Sequence, residues 1–376
     1  MKVLFIGGGG SGGHFYPLIA VARALKKFAD QEHIVGLHLF FAADEIIDAQ
    51  VLEEEGIHVM KIPAGKAPRY ASVAYIINPF KIVLGIIIAF FKIFFLLPDV
   101  IFSKGGYSAF PVLVIARILR IPVIIHESDT VPGKVNQWSG KWANRIAISF
   151  PETATYIKNN PNIALTGNPI RHQVIGGNTN EAVETLHLEE NTPLILVLGG
   201  SQGSQTINEA VLGVARELVE RYQIVHQTGR ENYKETAARS SVILEDAANK
   251  HRYHPMAYLS EADLRNAAHV ASLVISRAGA GSLFEIAAWR LPAIIVPLEG
   301  AAQDHQRQNA YSYARLGGCE IIDQVNLTPH ILLSAIDKLL ADKEKIDKMK
   351  RAAQEFAKLD AAEYIAQEII KLAIHP

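Results

Sequence analysis

Residues 3–17 read VLFIGGGGSGGHFYP and residues 194–206 read LILVLGGSQGSQT. Each begins as an apolar run without in–out alternation, which suits a strand covered by helices on both faces. Glycines follow, where backbone N–H groups can approach a ligand. Helix-competent segments come next, Pro17–Lys27 and Thr206–Tyr222. The two openings stand about 190 residues apart and predict two Rossmann-like domains in tandem. Working outward, further strands are expected at Leu37–Ala42, His58–Ile62, Val100–Ser103, Val123–His126 and Arg145–Ile148. In the second half they are expected at Gln223–Gln227, Leu273–Ser276, Ala293–Val296 and Glu320–Ile322. The seam falls at Gly167-Asn168-Pro169-Ile170-Arg171, a turn-rich stretch that cannot continue a helix. The expectation is an α/β protein of two domains, 1–168 and 169–359, facing across a cleft. A final helix, Ala361–Leu372 within 360–376, is expected to pack back onto the first domain.

The bulk numbers agree with two cores. The chain has 376 residues, 49% of them hydrophobic and 20% charged, which excludes a disordered chain. The single cysteine, Cys319, excludes an internal disulfide and fits a reducing compartment. Met1–Lys2 leads straight into an apolar strand rather than a leader's long apolar region, so the cytoplasm is the expected address. A net charge of −1 gives no global field for nucleic acid, which is not an expected partner. Locally the balance differs: Lys61, Lys66, Arg69, Lys81, Lys92, Lys104, Arg117 and Arg120 face one anion, Asp99, over residues 61–120.

That cationic stretch surrounds the most apolar segment, Ile82–Leu97, IVLGIIIAFFKIFFLL. Its sixteen residues fall short of a spanning helix, and Lys92 would lie in mid-bilayer. On a helix Lys81, Gly85 and Lys92 share nearly one face, since eleven residues make almost whole turns. A cationic edge on an apolar surface predicts an interfacial helix on an anionic membrane, with Lys81, Ile82, Ile86, Phe90, Lys92 and Phe94 at the lipid. The competing reading is an unusually apolar buried helix.

The polar residues cluster where strands end. The loop Gly7–His14 carries the G-x-G-x-x-G pattern, which by itself equally fits a nicotinamide-cofactor domain. That reading wants a ribose-binding acid about 20 residues on, whereas Asp44 and Glu45 lie some thirty residues on. Gly105-Gly106-Tyr107-Ser108 offers a second anion-friendly turn in the same half, with Lys104 adding charge. His126-Glu127-Ser128-Asp129 ends another strand. Arg277-Ala278-Gly279-Ala280-Gly281-Ser282-Leu283-Phe284-Glu285 repeats the strand–turn–helix theme, with amides for a diphosphate and Glu285 one turn in for two ribose hydroxyls. Gln303-Asp304-His305-Gln306 and Asn309 form a polar cluster suited to sugar hydroxyls, or to plain solvent.

Taken in order, six motifs resemble the MurG family of peptidoglycan N-acetylglucosaminyltransferases. They are Gly9-Gly10-Ser11-Gly12-Gly13-His14, Gly105-Gly106-Tyr107, His126-Glu127, Gly167-Asn168-Pro169-Ile170-Arg171, Gly199-Gly200-Ser201-Gln202-Gly203, and Arg277 to Glu285 with His305-Gln306. The likeness runs from Val3 to about Ala310, plus the last helix. It implies a GT-B fold and transfer of N-acetylglucosamine from UDP-N-acetylglucosamine to an undecaprenyl-diphosphate-linked N-acetylmuramoyl-pentapeptide. The expected place is the cytoplasmic side of the cell membrane, with other cell-wall synthesis proteins as further partners.

By this resemblance the donor site would comprise Ser11, Gly12, Gly13, Asp129, Arg171, Ser201, Gly203, Ala280, Gly281, Ser282, Leu283, Phe284, Glu285, His305 and Gln306. Within it Arg171 and Ser201 would hold the diphosphate, Glu285 the ribose and Gln306 the sugar. Gly105, Gly106 and Tyr107 would meet the acceptor's diphosphate. His14, Glu127 and Asp129 are the candidates for the base that activates the acceptor hydroxyl. No cofactor or metal is implied. The chain departs from the family at Ser11, usually Thr, and at Ser128-Asp129, usually Gln-Asn. An amide donor thereby becomes a carboxylate. Two competing readings remain at this level: a glycosyltransferase for another lipid, and a non-catalytic nucleotide-sugar sensor.

Overall fold

In the computed structural model the described residues are 1–7, 12–65, 74–157, 160–200, 203–300 and 304–374. They form two compact units, Met1–Ile170 with Lys358–Pro376, and Arg171–Ala357. The first holds β1 (Lys2–Ile6), β2 (His38–Ala43), β3 (His58–Lys61), β4 (Val100–Ser103), β5 (Val123–Glu127), β6 (Arg145–Ile148) and β7 (Ile163–Leu165). The second holds β8 (Leu194–Leu198), β9 (Gln223–Gln227), β10 (Tyr253–Met256), β11 (Ala271–Ser276), β12 (Ala293–Ile295) and β13 (Glu320–Ile321).

Both sheets are parallel throughout. Their orders are β3-β2-β1-β4-β5-β6-β7 and β10-β9-β8-β11-β12-β13. In each, the first strand in sequence lies beside the fourth, where the winding reverses. Ligands of such sheets bind outside the carboxyl ends of the strands at that reversal.

The apolar runs read as they do because both faces are covered. Val3 and Phe5 of β1 pack under the helices Gly12–Gln31 and Ala361–Ile374, with Phe15, Leu25, Ile365 and Ile369. Leu4 and Ile6 point the other way, toward Ile93 of the helix Ala74–Leu96 and Val112 and Leu113 of the helix Phe110–Leu119. The second sheet is filled in the same manner by Ile195, Val197, Leu273 and Ile275.

Three expectations change. The edge strands β7 and β10, which carry no long apolar run, are present although neither was expected. The single helix expected over Thr206–Tyr222 is two, Gln205–Leu212 and Ala215–Arg221. They break at Gly213, where an added Cβ would lie 2.5 Å from Pro329 Cγ. The apolar helix is longer than the run that announced it: its portion Asn78–Leu96, nineteen residues, is long and apolar enough to cross a membrane.

That helix nevertheless docks along its domain. A Cβ on Gly85 would stand 2.0 Å from the Pro63 carbonyl oxygen, and Gly85, Ala89 and Ile93 are buried. Ile82 and Ile86 are half-buried, Ile86 against the core, so they do not form the outer face assigned to them. Exposed instead are Phe80, Val83, Leu84, Ile87, Phe90, Phe91, Phe94, Phe95 and Leu97, with Ile118 of the neighbouring helix. Lys81 is exposed too, and Lys92 reaches back to donate to Lys61 O at 3.0 Å.

Candidate active site

In the first unit the ends of β1, β4 and β5 gather the residues singled out from the sequence. The turn after β4 needs glycine: Gly105 has φ +75°, and a Cβ there would lie 2.5 Å from Asn136 Oδ1. The turn is pinned by Gly105 N–H donating to Ser103 Oγ at 3.1 Å. Gly106 (φ 80°) caps the following 3-10 turn, which begins at Tyr107. Burial raises the Tyr107 pKa, and the charges of Glu45 and Asp44 raise it further. Gly12 and Gly13 open the helix Gly12–Gln31, and His14 sits half-buried with Nδ1 3.2 Å from Lys104 O. Since a carbonyl only accepts, that nitrogen carries the proton and the ring's basic lone pair lies on Nε2. Ser11 lies outside the described residues.

Glu127 differs from the expectation of a base. It is buried, Oε1 accepts from Asp129 N–H at 3.0 Å, and Oε2 accepts from Gly133 N–H at 3.0 Å and Asn136 Nδ2 at 2.9 Å. Both oxygens therefore hold the loop that follows β5. Burial, with the Asp129 charge, pushes its pKa up to about 7. Asp129 itself is half-buried at the start of that loop. His14 and Asp129 both lie at this end of the first sheet, and both are half-buried.

Lys104, noted from the sequence only as nearby charge, is the least expected member. It is 1% exposed, and Nζ donates to His126 Nδ1 at 2.6 Å, to Asn168 Oδ1 at 3.1 Å and to Ser128 Oγ. Burial lowers its pKa to about 7, against the pull of Glu127 and Asp129. His126 Nε2 donates to Gly167 O at 2.9 Å, which fixes the tautomer that accepts from Lys104. Burial and the Lys104 charge keep His126 well below its ordinary pKa. No hydrophobic pattern announces a buried lysine; its only sequence signal was its place between a strand and two glycines.

The second unit repeats the arrangement at the ends of β8 and β11. Gly203 (φ +79°) passes so close to β9's end that a Cβ would lie 2.1 Å from Thr228 O. Ser204 then caps the helix Gln205–Leu212, accepting from Ile207 N–H. Ser201 lies outside the described residues. After β11, the helix Ala280–Trp289 starts at Gly279 without a side-chain cap. Its first amides, those of Ala280, Gly281 and Ser282, have no intrahelical acceptors by position and form an anion-facing end. Leu283 N–H already donates to Gly279 O, and the Leu283 and Phe284 side chains are core, Phe284 tilted against Phe356 at 4.3 Å. These two support the turn rather than line it.

Glu285 and Arg171 are brought together. Arg171 donates from Nε (3.0 Å) and Nη2 (2.8 Å) to Glu285 Oε1, and Nη1 lies 3.5 Å from Glu261. Burial opposes the Arg171 charge, but Glu285 and Glu261 outweigh it and raise the pKa. The guanidinium thus aims Glu285, whose Oε2 stays available for hydroxyl donors. His305 and Gln306 begin the helix His305–Arg315, and Gln306 Oε1 accepts from Leu298 N–H at 3.0 Å. Gln303 lies outside the described residues. Asn309, weighed as a sugar contact, is fully buried and donates to Ala278 O at 3.3 Å, tying this helix to the turn after β11. Arg277 is structural as well, donating to Val296 O and Pro297 O.

The glycosyltransferase family 28 N-terminal domain matches residues 4–148 and its C-terminal domain residues 194–365. A UDP-N-acetylglucosamine--N-acetylmuramyl-(pentapeptide) pyrophosphoryl-undecaprenol N-acetylglucosamine transferase of Clostridium novyi (strain NT) is 34% identical over 340 residues, 90% of each chain. Its namesake from Legionella pneumophila (strain Paris) is 34% identical over 369 residues, 98% of this chain and 96% of that one. The crystal structure of Acinetobacter baumannii MurG superposes with a TM-score of 0.74 at 27% identity, over 99% of this chain and 100% of that one. The chain belongs to glycosyltransferase family 28 and, within it, to the MurG family of GT-B glycosyltransferases.

Proposed function

We propose that this glycosyltransferase moves N-acetylglucosamine from UDP-N-acetylglucosamine to the C4 hydroxyl of an undecaprenyl-diphosphate-linked N-acetylmuramoyl-pentapeptide, inverting the anomeric carbon. The observation that carries the reading is the paired use of the two winding reversals. Each sheet presents a glycine turn and a helix start at the ends of its two central strands, in a chain whose relatives are named for this transfer.

The donor belongs to the second unit in this reading. Glu285, aimed by Arg171, accepts from the ribose hydroxyls. The amides of Ala280, Gly281 and Ser282 face the diphosphate and oppose the negative charge that grows on UDP as it leaves. Gln306, with its oxygen taken by Leu298, offers its NH2 to the sugar. On the first unit Gly105, Gly106 and Tyr107 meet the acceptor's diphosphate. His14 Nε2 takes the proton of the attacking hydroxyl, with Asp129 nearby on the loop held by Glu127.

The exposed apolar strip of the helix Ala74–Leu96 supports peripheral attachment at the cytoplasmic face of the membrane. Its opposite side is docked on the protein through Gly85 and Ala89, so the helix lies along the bilayer surface rather than through it. A mass-resolved assay offering UDP-N-acetylglucosamine with several lipid acceptors tests the reaction. A product with the muramoyl lipid is expected. Product only with another lipid, or no turnover at all, refutes the assignment and favours respectively a different lipid glycosyltransferase or a sensor.

A further inference from the structure

Lys104 has no place in the mechanism above, yet it is a buried cation at the junction of everything in the first unit's site. Its amide extends the β1–β4 ladder by donating to Ile6 O at 2.8 Å, and its carbonyl accepts from His14. Its Nζ uses all three protons on neutral acceptors: His126 at the end of β5, Ser128 in the loop beyond it, and Asn168 in the segment after β7. Ser128 Oγ in turn donates to Asn168 Oδ1 at 3.0 Å. Among the described residues no carboxylate oxygen hydrogen-bonds to it, and Glu127 and Asp129 act on its charge only from a distance. The next two residues are Gly105 and Gly106, whose turn opens at the same end of the sheet.

We propose that Lys104 is a positioning residue: its ammonium binds three strand ends into one arrangement, its carbonyl orients His14, and its charge favours a diphosphate at the Gly105–Gly106 turn. The assignment of that turn to the acceptor's diphosphate rests on the function proposed above, but the anion preference itself needs no turnover to be measured. The charged or titratable groups facing Lys104 are His14 from the first helix, His126 and Glu127 from β5, and Asp129 from the loop after it. With Lys104 losing its proton above about pH 7, diphosphate binding weakens as pH rises.

The test is calorimetric titration of a short prenyl diphosphate into the full chain, with UDP present at saturation to occupy the donor site. The unaltered protein is expected to bind about tenfold more tightly at pH 6 than at pH 9. Lys104→Met, similar in length and uncharged, is expected to lose about tenfold in affinity at pH 6 and to weaken less toward pH 9 than the unaltered protein, the remainder coming from Glu127 as it loses its proton. Lys104→Arg should restore part of the pH 6 affinity and hold it at pH 9, because a guanidinium stays charged. Equal affinities and equal pH dependence in the unaltered and Met proteins overturn the proposal. If Lys104→Met does not fold, flat binding by the unaltered protein between pH 6 and pH 9 overturns it alone. Failure to form a glycosylated lipid in the separate transfer assay would count against the proposed reaction and leave this measurement standing.

Discussion

Arg171 and Glu285 show how the residue proposed to bind ribose is itself held. Two of the guanidinium's donors reach Glu285 Oε1, so the carboxylate is oriented before any nucleotide arrives. Glu285→Ala should raise the Kd for UDP about ten- to hundredfold, the worth of hydrogen bonds to a charged group. Calorimetry reads it directly, and unchanged affinity removes Glu285 from the site. Lys104 and Glu127 give a pH dependence of stability with a definite sign. Lys104 has an ordinary pKa of 10.5 and a folded value of about 7. Between those values the unfolded chain binds more protons, so this group's contribution makes stability rise with pH. Glu127 goes from 4.5 to about 7, so its contribution falls as pH rises through that window. The melting temperature of the unaltered protein should therefore gain on that of Lys104→Met from pH 7 to pH 9. A constant gap between the two would contradict the buried, displaced lysine. The sequence could place glycines and Glu285 just beyond strand ends because local pattern encodes them. It could not show that Asn309 is core, that both Glu127 oxygens are occupied, or that Lys104 meets Asn168. The Asn309 and Lys104 contacts join residues far apart in the chain, and those of Glu127 depend on how the loop after β5 folds back.

At the level of single elements, the central strands and the edge strands β3 and β13 were legible, while the edges β7 and β10 were not. β1, β4 and β8 are wholly buried or nearly so, and their continuous apolar runs say as much. β7 is three residues long and largely exposed, while β10 carries Pro255, which an edge tolerates and a central strand does not. The apolar helix was legible as an unusual element but not in its orientation. Which side faces out depends on Gly85 fitting against Pro63, a contact with no trace in helical periodicity. Phe91 and Phe95 lie on the outer side, Phe95 being 78% exposed. Replacing both by Ser should lower the protein's partition onto anionic vesicles at least tenfold, given the transfer energy of a phenylalanine side chain. The same pair should leave UDP affinity unchanged. Equal sedimentation of the double variant with vesicles would show that this strip does not meet lipid.

The molecule as a whole is two parallel α/β units built on one plan, with the chain leaving the first unit, forming the second, and coming back. The return is not a loose end. Ala362, Ile365, Ala366, Ile369 and Leu372 belong to the same buried cluster as Val3, Phe15 and Leu25. Deleting residues 361–374 should therefore unfold the first unit, because several fully buried aliphatic side chains would be lost at about 2–5 kcal/mol each. UDP binding by the second unit should survive the deletion. Limited proteolysis with calorimetry checks both halves of that expectation, and a truncated chain that keeps its first unit protease-resistant would contradict it. Repetition of the strand–glycine–helix theme made the two-unit plan readable early. The final helix was expected to pack back onto the first unit, but not onto which residues, since an amphipathic helix advertises an apolar stripe without naming what it covers.

That returning helix has a consequence for synthesis. A ribosome makes the amino-terminal sheet first, but residues 361–374 emerge only after the entire second unit has been translated. Until then the apolar surface formed by Leu18, Leu25 and their neighbours has no cover. The later-made unit can complete its fold while the earlier-made one still waits, reversing the usual amino-to-carboxyl order of domain maturation. During that interval the nascent chain offers a chaperone an exposed hydrophobic face that the finished protein conceals.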